Sequence, residues 1–482
     1  MSSSSQLVIP PYIDPKTIDI DITAFDSTTT IDSSYPGGDI CLDIEGLSQA
    51  ALGQVSDISL DLIDIAFHVY SADKRIRRGT IVDVFADNWA RNITIVVPVR
   101  RLDVWQSNNV SDALQFVLSF LTGDRWTFKF AHRNNAEYRP VLNFTGGNAY
   151  PNANAVCLFS GGMDSSAGAV LSLLHSDVRP VLLGHNAAPV IKSRQRRLLN
   201  ALRSMYKERW AFPFVSVRSV QNGESVERSQ RSRSFLFFSL ATALADGLKL
   251  KHILCPENGV VSLNLPWSDQ ISTMATRTTH PKTLHLFNTL LSLLYDSAPT
   301  LTNPLVLKTK GDIAKLMVEN DASDISIASV SCAKTTFRAK AVPHCGICTQ
   351  CIQRRFALAY AGIGSHEAIQ SYETDVFTDK LTDGEAATNA DGYLRLVRSL
   401  STIEQTSFYG KHKSALLAID PLSNHVSDPE TAIFQMMQRE STQALSVIDL
   451  KSKEHRRDLR LGMIPGRSLL GMARYGLSGD IK

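Results

Sequence analysis

Between Val156 and Ser166 the chain reads Val-Cys-Leu-Phe-Ser-Gly-Gly-Met-Asp-Ser-Ser, a short apolar strand running into paired glycines and then a helical stretch. Those residue types suit a bound anion. Glycine lets the backbone approach closely, and a helix N-terminus offers unpaired N–H groups and the positive end of a dipole. Ser160 and Ser165 can add hydroxyl donors, and Asp164 can hold or orient a magnesium ion. No Gly-Lys-Ser/Thr follows, so this is not the Walker-type loop of γ-phosphoryl transfer. A plain strand–turn–helix capped by Asp164 or Ser165 is the bland alternative. Serines on both sides of the glycines, with the aspartate in place, favour a phosphate loop.

A second set of chemistry-bearing residues is Cys332-x12-Cys345-x2-Cys348-x2-Cys351. Two-residue gaps let thiolates converge on one ion, and four thiolates complete a closed, structural tetrahedral zinc site. An iron–sulfur cluster is the competing ligand set, but the ferredoxin run needs a further cysteine and proline that are absent here. His344 stands beside the set, either supporting a ligand or replacing one. Cys41, Cys157 and Cys255 lie in apolar segments and read as core thiols.

The elements that must position these residues follow from the apolar periodicity. Ala155–Phe159, Pro180–Gly184, Phe212–Val217 and His252–Cys255 read as strands, alternating with helical stretches at 165–174, 193–206 and 234–248. That alternation predicts an α/β fold with a doubly wound parallel sheet, whose ligands sit beyond the carboxyl ends of the strands where the strand order reverses. Residues 39–150 read as a smaller N-terminal α/β domain: a helix carrying Leu62, Ile65, Ala66, Val69 and Tyr70, strands at 93–97 and 126–130, and an amphipathic helix at 112–121. Residues 1–38, with Lys16 as their one basic residue and many Ser, Thr and Asp, read as a flexible polar arm. Residues 363–482 read as a helical extension, clearest at 392–401 and 430–450.

Ser160-Gly-Gly-Met-Asp-Ser165 resembles the pyrophosphate-binding loop of the PP-loop ATP pyrophosphatases, which share an adenine-nucleotide α-hydrolase-like fold. Together with Ser331-Cys332…Cys345-Gly-x-Cys348-x-x-Cys351-x-x-Arg354, it resembles the 7-cyano-7-deazaguanine synthase (QueC) family across 153–362. Arg233-Ser234, Pro304-Leu305 and Lys310-Gly311-Asp312-Ile313 look like further landmarks of that family. The resemblance implies that ATP, Mg2+ and Zn2+ are the cofactors. Ser160, Gly161, Gly162, Asp164 and Ser165 would hold pyrophosphate and magnesium, and Cys332, Cys345, Cys348 and Cys351 the zinc. It implies adenylation of 7-carboxy-7-deazaguanine with release of pyrophosphate, followed by displacement of AMP by an amine. Two readings are open for Arg233: it neutralises phosphate or carboxylate, or it is a surface partner of Glu224 or Glu227. Lys310 is either a charge at the site or a loop lysine. The sequence departs from the family after the fourth strand, where Glu257, Arg277 and His280 stand. They are either substrate ligands, Glu257 accepting from a guanine-like N–H edge, or parts of an ordered loop with a helix cap before Pro281.

The 482 residues, 44% hydrophobic and 20% charged, describe a folded chain, and at roughly 100–200 residues per domain they predict two to four domains. A net charge of +3 gives no global field toward nucleic acid. The basic run from Lys192 to Arg209 reads as the solvated face of a helix, so a nucleic-acid partner is not expected. The apolar stretch 235–245 is too short to cross a bilayer, no secretory signal opens the chain, and a cytoplasmic protein is expected. Residues 1–150 and 363–482 exceed what a free-standing nitrile synthase needs. That excess resembles the extended QatC-like proteins of bacterial antiphage defence and implies an amine on a partner protein as acceptor. A conventional nitrile synthase using ammonia and a non-catalytic nucleotide-binding sensor are the alternatives.

Overall fold

The computed structural model describes residues 17–22, 27–32, 40–43, 45–51, 55–78, 90–133, 149–186, 188–221, 227, 231–265, 277–334, 342–382 and 384–475. Its strands are β1 (Thr17–Ile22), β2 (Ser27–Asp32), β3 (Ile40–Asp43), β4 (Asn92–Val99), β5 (Arg125–His132), β6 (Ala155–Leu158), β7 (Pro180–Asn186), β8 (Phe214–Gln221), β9 (His252–Leu254) and β10 (Thr300–Thr302). They form two sheets, one ordered β2-β1-β4-β5 and one ordered β10-β9-β6-β7-β8-β3.

In the larger sheet β10, β9, β6, β7 and β8 are all parallel, and β3 joins the far edge antiparallel to β8. The chain therefore starts at β6, winds outward through β7 and β8, and returns to the other side of β6 as β9 and β10. This is the 3-2-1-4-5 order of a doubly wound sheet, and its reversal lies between β6 and β9. The register sharpens the location. Cys157 pairs with Leu254, so Ser160 and Glu257 each lie three residues beyond a paired position, at the mouth of the crevice.

Helices cover both faces. Met163–Ser176 and Pro189–Tyr206 pack on one face, burying Ala167, Val170, Leu198 and Leu202 against Cys157 and Leu182. Arg233–Leu248 packs on the other, where Phe235 and Phe238 share one core with Leu62, Ile65 and Val69 of helix Asp57–Arg75. The N-terminal region is thus fused to the large sheet through a continuous apolar core. The apolar stretch 235–245 lies in this buried helix, and no described helix is long and apolar enough to cross a membrane.

Two expectations change. Residues 17–22 and 27–32 are not part of a loose arm but an antiparallel hairpin whose β1 also pairs with β4. The alternation Ile18, Asp19, Ile20, Asp21, Ile22 is a period-2 strand pattern that bulk composition conceals. The other residues of 1–38 lie outside the described ones. Residues 40–43 leave the N-terminal sheet and extend the large one as β3. Residues 149–152, at the expected boundary near residue 150, are bend and turn.

The C-terminal helices Gly384–Thr402 and Pro429–Glu454 pack on each other and on helix Thr349–Tyr360. Pro429–Glu454 also grips the start of helix Lys310–Glu319. Gln443 Nε2 donates to Asp312 Oδ1 at 2.6 Å, and Thr309 Oγ1 donates to Gln443 Oε1 at 2.6 Å.

Candidate functional site

Gly161 has φ +83°, the left-handed region that glycine tolerates, and there the chain turns from β6 into helix Met163–Ser176. A Cβ on Gly161 would come within 3.3 Å of Gln195 Cγ. Gly162 N–H donates to Ser160 Oγ at 3.2 Å, Ser160 and Ser165 hydroxyls lie 3.1 Å apart, and Ser166 Oγ donates to Gly162 O at 2.8 Å. Gln195 Nε2 donates to Phe159 O at 3.0 Å and so props the strand end from beneath. The turn is a built, internally bonded cradle with Ser160 exposed at its tip.

Asp164 lies behind this turn and is 6% exposed. Its Oδ2 accepts from Asn258 Nδ2 at 2.8 Å and faces Lys310 Nζ at 3.2 Å. Burial opposes its charge, but Lys310 and the bonds from Glu257 and Asn258 prevail and hold its carboxyl below the usual carboxylate range. Asp164 Oδ1 is buried and takes no hydrogen bond from an N–H or hydroxyl. Beside Asp164 is the Glu257 carboxyl, which burial and the Asp164 charge push well above its ordinary range. Two carboxylates in contact cannot both ionise cheaply, and of the two Glu257 is the one whose charged form is disfavoured. In its neutral form Glu257 would be a donor, not only the acceptor that its residue type suggests. Asn303 fixes its backbone from both sides, accepting from Glu257 N at 3.1 Å and donating to Glu257 O at 2.7 Å.

Lys310 opens helix Lys310–Glu319, whose Thr309–Asp312 capping box sets its first turn. The ammonium is 3% exposed and also donates to Gln350 Oε1 at 3.0 Å. Lys310 therefore opens a helix and faces Asp164, and is not a loop lysine.

The four cysteines are all buried, and their sulfur atoms lie within 4.8 Å of one another. A tetrahedron with bonds of about 2.3 Å has sulfurs roughly 3.8 Å apart, and Cys345 Sγ lies 3.8 Å from Cys351 Sγ. Cys348 N–H donates to Cys345 Sγ at 3.4 Å. Gly346 makes the knuckle possible, with φ +84° and room for a Cβ only 1.8 Å from Thr374 O. The donor set and spacing could hold a metal ion such as zinc. His344 stacks on Tyr372, with ring centroids 4.8 Å apart, and lies outside the four-sulfur set.

The knuckle touches the phosphate-type loop directly. Val330 N–H donates to Gly161 O at 3.0 Å, and Met163 N–H donates to Ser331 Oγ at 3.3 Å, one residue before Cys332. Arg354 is 0% exposed and clamps Glu367, Ser329 Oγ and the Ser326 and Ile327 carbonyls, so it braces this joint from inside.

The structure thus brings together Ser160, Gly161, Gly162, Asp164, Ser165, Glu257 and Lys310. It places Arg277 and His280 elsewhere. Arg277 Nη1 donates to Phe120 O at 3.0 Å and lies over the Phe120 ring. His280 is 1% exposed and caps helix Pro281–Leu294, accepting from Lys282 N–H at 3.1 Å, with Nε2 3.3 Å from Ser414 O. Its role is the helix cap before Pro281. Arg233 starts its helix over the Phe237 ring, which lies against His185 of β7, and no described contact joins it to Asp164. Asn258, Ser331, Gln350 and Gln195 are the participants that residue types alone do not single out. Asn258, Ser331 and Gln350 adjoin motif residues, and Gln195 is marked by nothing local.

Lys192, Arg196, Arg197, Lys207 and Arg209 are exposed on or just beyond helix Pro189–Tyr206. Cys157 and Cys255 are core thiols, and burial pushes Cys157 up to about 12. No family model, curated protein or solved structure matches the chain.

Proposed function

We propose that this chain is a PP-loop, QueC-like ATP-dependent ligase that adenylates a carboxylate and passes the acyl group to an amine. The observation that carries the reading is the Asp164–Lys310 pair, 3.2 Å apart and buried directly behind the Ser160–Ser165 turn at the reversal of the sheet. A buried ion pair is rarely a net stabiliser, and a position at such a mouth favours a functional role.

In this reading the Gly161–Ser165 turn and its hydroxyls bind the β,γ-phosphates of ATP while a substrate carboxylate oxygen attacks the α-phosphate. The bond to the bridging oxygen breaks and pyrophosphate leaves with the negative charge. Lys310 and the Ser160 and Ser165 hydroxyls would stabilise the charge that grows there. Mg2+ would supply Lewis-acid neutralisation of the phosphates, and Asp164, whose Oδ1 takes no N–H or hydroxyl hydrogen bond, is the residue fitted to hold it. The amine then attacks the acyl carbon, AMP departs, and the nitrogen loses a proton. Zn2+ on Cys332, Cys345, Cys348 and Cys351 acts as a cross-link under the loop.

The carboxylate we favour is 7-carboxy-7-deazaguanine, and the amine that of a partner protein in antiphage defence. The described parts of 1–150 and 363–482 pack against the site domain, which suits a docked macromolecular acceptor. One incubation tests this: protein, ATP, magnesium and 7-carboxy-7-deazaguanine, with and without candidate partner proteins, followed by pyrophosphate and intact mass. Pyrophosphate with a mass gain on the partner is expected. Free nitrile with unmodified partner would sink conjugation, and no pyrophosphate under any condition would leave the nucleotide-sensor alternative standing.

A further inference from the structure

Asp73 and Ser232 join the N-terminal region to the large sheet. Asp73 Oδ2 accepts from Ser232 N–H at 2.9 Å and from Ser232 Oγ at 2.8 Å, while Asp73 Oδ1 is taken by Arg91. The next residue on each side of this joint is a cation. Lys74 lies in the last turn of one helix and Arg233 begins the other, so the joint brings the two positive charges within each other's field.

Lys74 lies over the Tyr70 ring at 5.5 Å and Arg233 over the Phe237 ring at 5.0 Å. Among the described residues no carboxylate pairs with either. Asp73, next to Lys74 in the sequence, is taken by Arg78, Arg91 and Ser232, and Glu227, whose N–H donates to Lys74 O at 3.0 Å, accepts the Arg78 N–H at 3.0 Å. Glu224 lies outside the described residues. Both cations are partly buried, where like charges repel with less screening than in water. Burial, Arg233 and Arg75 all depress Lys74. Burial, Arg233 and Lys74 hold the intervening His185 down to about 3.

The cluster also stands at the right level. Leu158 of β6 pairs with Leu183 of β7, so Ser160 and His185 are each two residues past that pair, one strand spacing apart. His185 contacts Phe237, the ring beneath Arg233, with centroids 5.0 Å apart.

We propose that Lys74 and Arg233 form an oxyanion subsite one strand over from the Ser160–Asp164 loop, taking a phosphate or carboxylate group of the molecule bound there. The N-terminal region is then part of the ligand site. Lys74 lies outside the 153–362 stretch that carries the family resemblance, so this contribution belongs to the extended chain. The subsite does not depend on turnover.

Calorimetric titration of the full-length protein with ATP, with pyrophosphate and with 7-carboxy-7-deazaguanine tests it, and comparing the probes separates phosphate from carboxylate. Lys74→Gln should weaken at least one probe about tenfold, Arg233→Gln should weaken the same probe, and Lys74→Arg should restore binding to within about threefold. The double variant should lose less than the product of the single losses, since both charges serve one anion. Thermal melting of Lys74→Gln should match wild type, because Lys74 donates no hydrogen bond to another element. Binding of all three probes within twofold of wild type in Lys74→Gln, or no binding of any probe to wild type, would overturn the proposal. Lys74-dependent anion binding without pyrophosphate release would instead sink the ligase reading and leave this one intact.

Discussion

Gln350 Oε1 accepts a hydrogen bond at 3.0 Å from the same Lys310 ammonium that faces Asp164 at 3.2 Å. Gln350 lies between Cys348 and Cys351, so the cysteine knuckle reaches the charged centre through one side chain. On its other flank, Ser331 beside Cys332 accepts from the loop helix at Met163 N–H. A metal held by the four sulfurs would fix both contacts at once, and a closed site would then act on the reaction by position alone.

Gln350→Leu should therefore leave metal content and cooperative unfolding unchanged while lowering the rate of pyrophosphate release about tenfold, the scale of one lost charge-assisted contact. Gln350→Glu keeps an acceptor and should recover most of the rate. Full activity in Gln350→Leu would show that Lys310 needs no such guide.

Asp164→Asn should cut pyrophosphate release by about 100-fold or more, the usual scale for removing a preorganised charge at a reacting centre. Either substitution leaves the buried Lys310 charge without its counter-charge, at a cost of about 3–5 kcal/mol, and asparagine is the cleaner probe because it keeps the volume and an acceptor for Lys310 and Asn258. Circular dichroism and single-turnover assays would check the two halves of this expectation. Near-normal turnover would remove Asp164 from the chemistry.

Freshly purified, unchelated protein should contain about one equivalent of zinc by elemental analysis, and less than about half an equivalent would count against the site. Gly346→Ala should lower that content and the melting temperature together, since a Cβ there would lie 1.8 Å from Thr374 O in a backbone conformation that alanine disfavours.

What the sequence makes legible follows from the range of each signal. The loop, the cysteine knuckle and the helices carrying Leu62, Asp112 and Glu430 are local patterns and stand where periodicity puts them. The β1–β2 hairpin is missed because a Ser/Thr/Asp composition outweighs its alternating isoleucines. Sites assembled across distance are invisible in one dimension. Asn258 reaches Asp164 only because β9 returns beside β6, and Lys74 meets Arg233 only through the Asp73–Ser232 joint. Arg277 and His280 show the converse. Residues suited to binding an acid are spent on Phe120 and Ser414, because a buried cation or imidazole must find acceptors in the fold itself.

His280 also gives the protein a pH dependence that is separate from any catalysis. Burial comes first among the causes, and Arg277 and Lys282 add to it, with the bond to Ser414 O opposing; together they hold the imidazole down to about 4 against an ordinary value of 6.5. The Phe120 ring packs edge-on against it, with centroids 5.4 Å apart. Between pH 6.5 and 4 the unfolded chain binds a proton at this residue that the folded chain refuses, so stability is complete above pH 6.5 and falls as the pH drops through that window. By linkage the loss amounts to about 3 kcal/mol when the window has been crossed. His280→Asn keeps an acceptor at the helix cap and removes the titration. Guanidinium unfolding should therefore place the variant at or slightly below wild type at pH 7.5, with a flatter acid limb and an advantage near pH 4. His68, held down to about 4 by burial, keeps part of the slope in both proteins. Parallel stability–pH curves for variant and wild type would show that His280 is protonated in the folded protein at no cost, and the buried cap would then need another description.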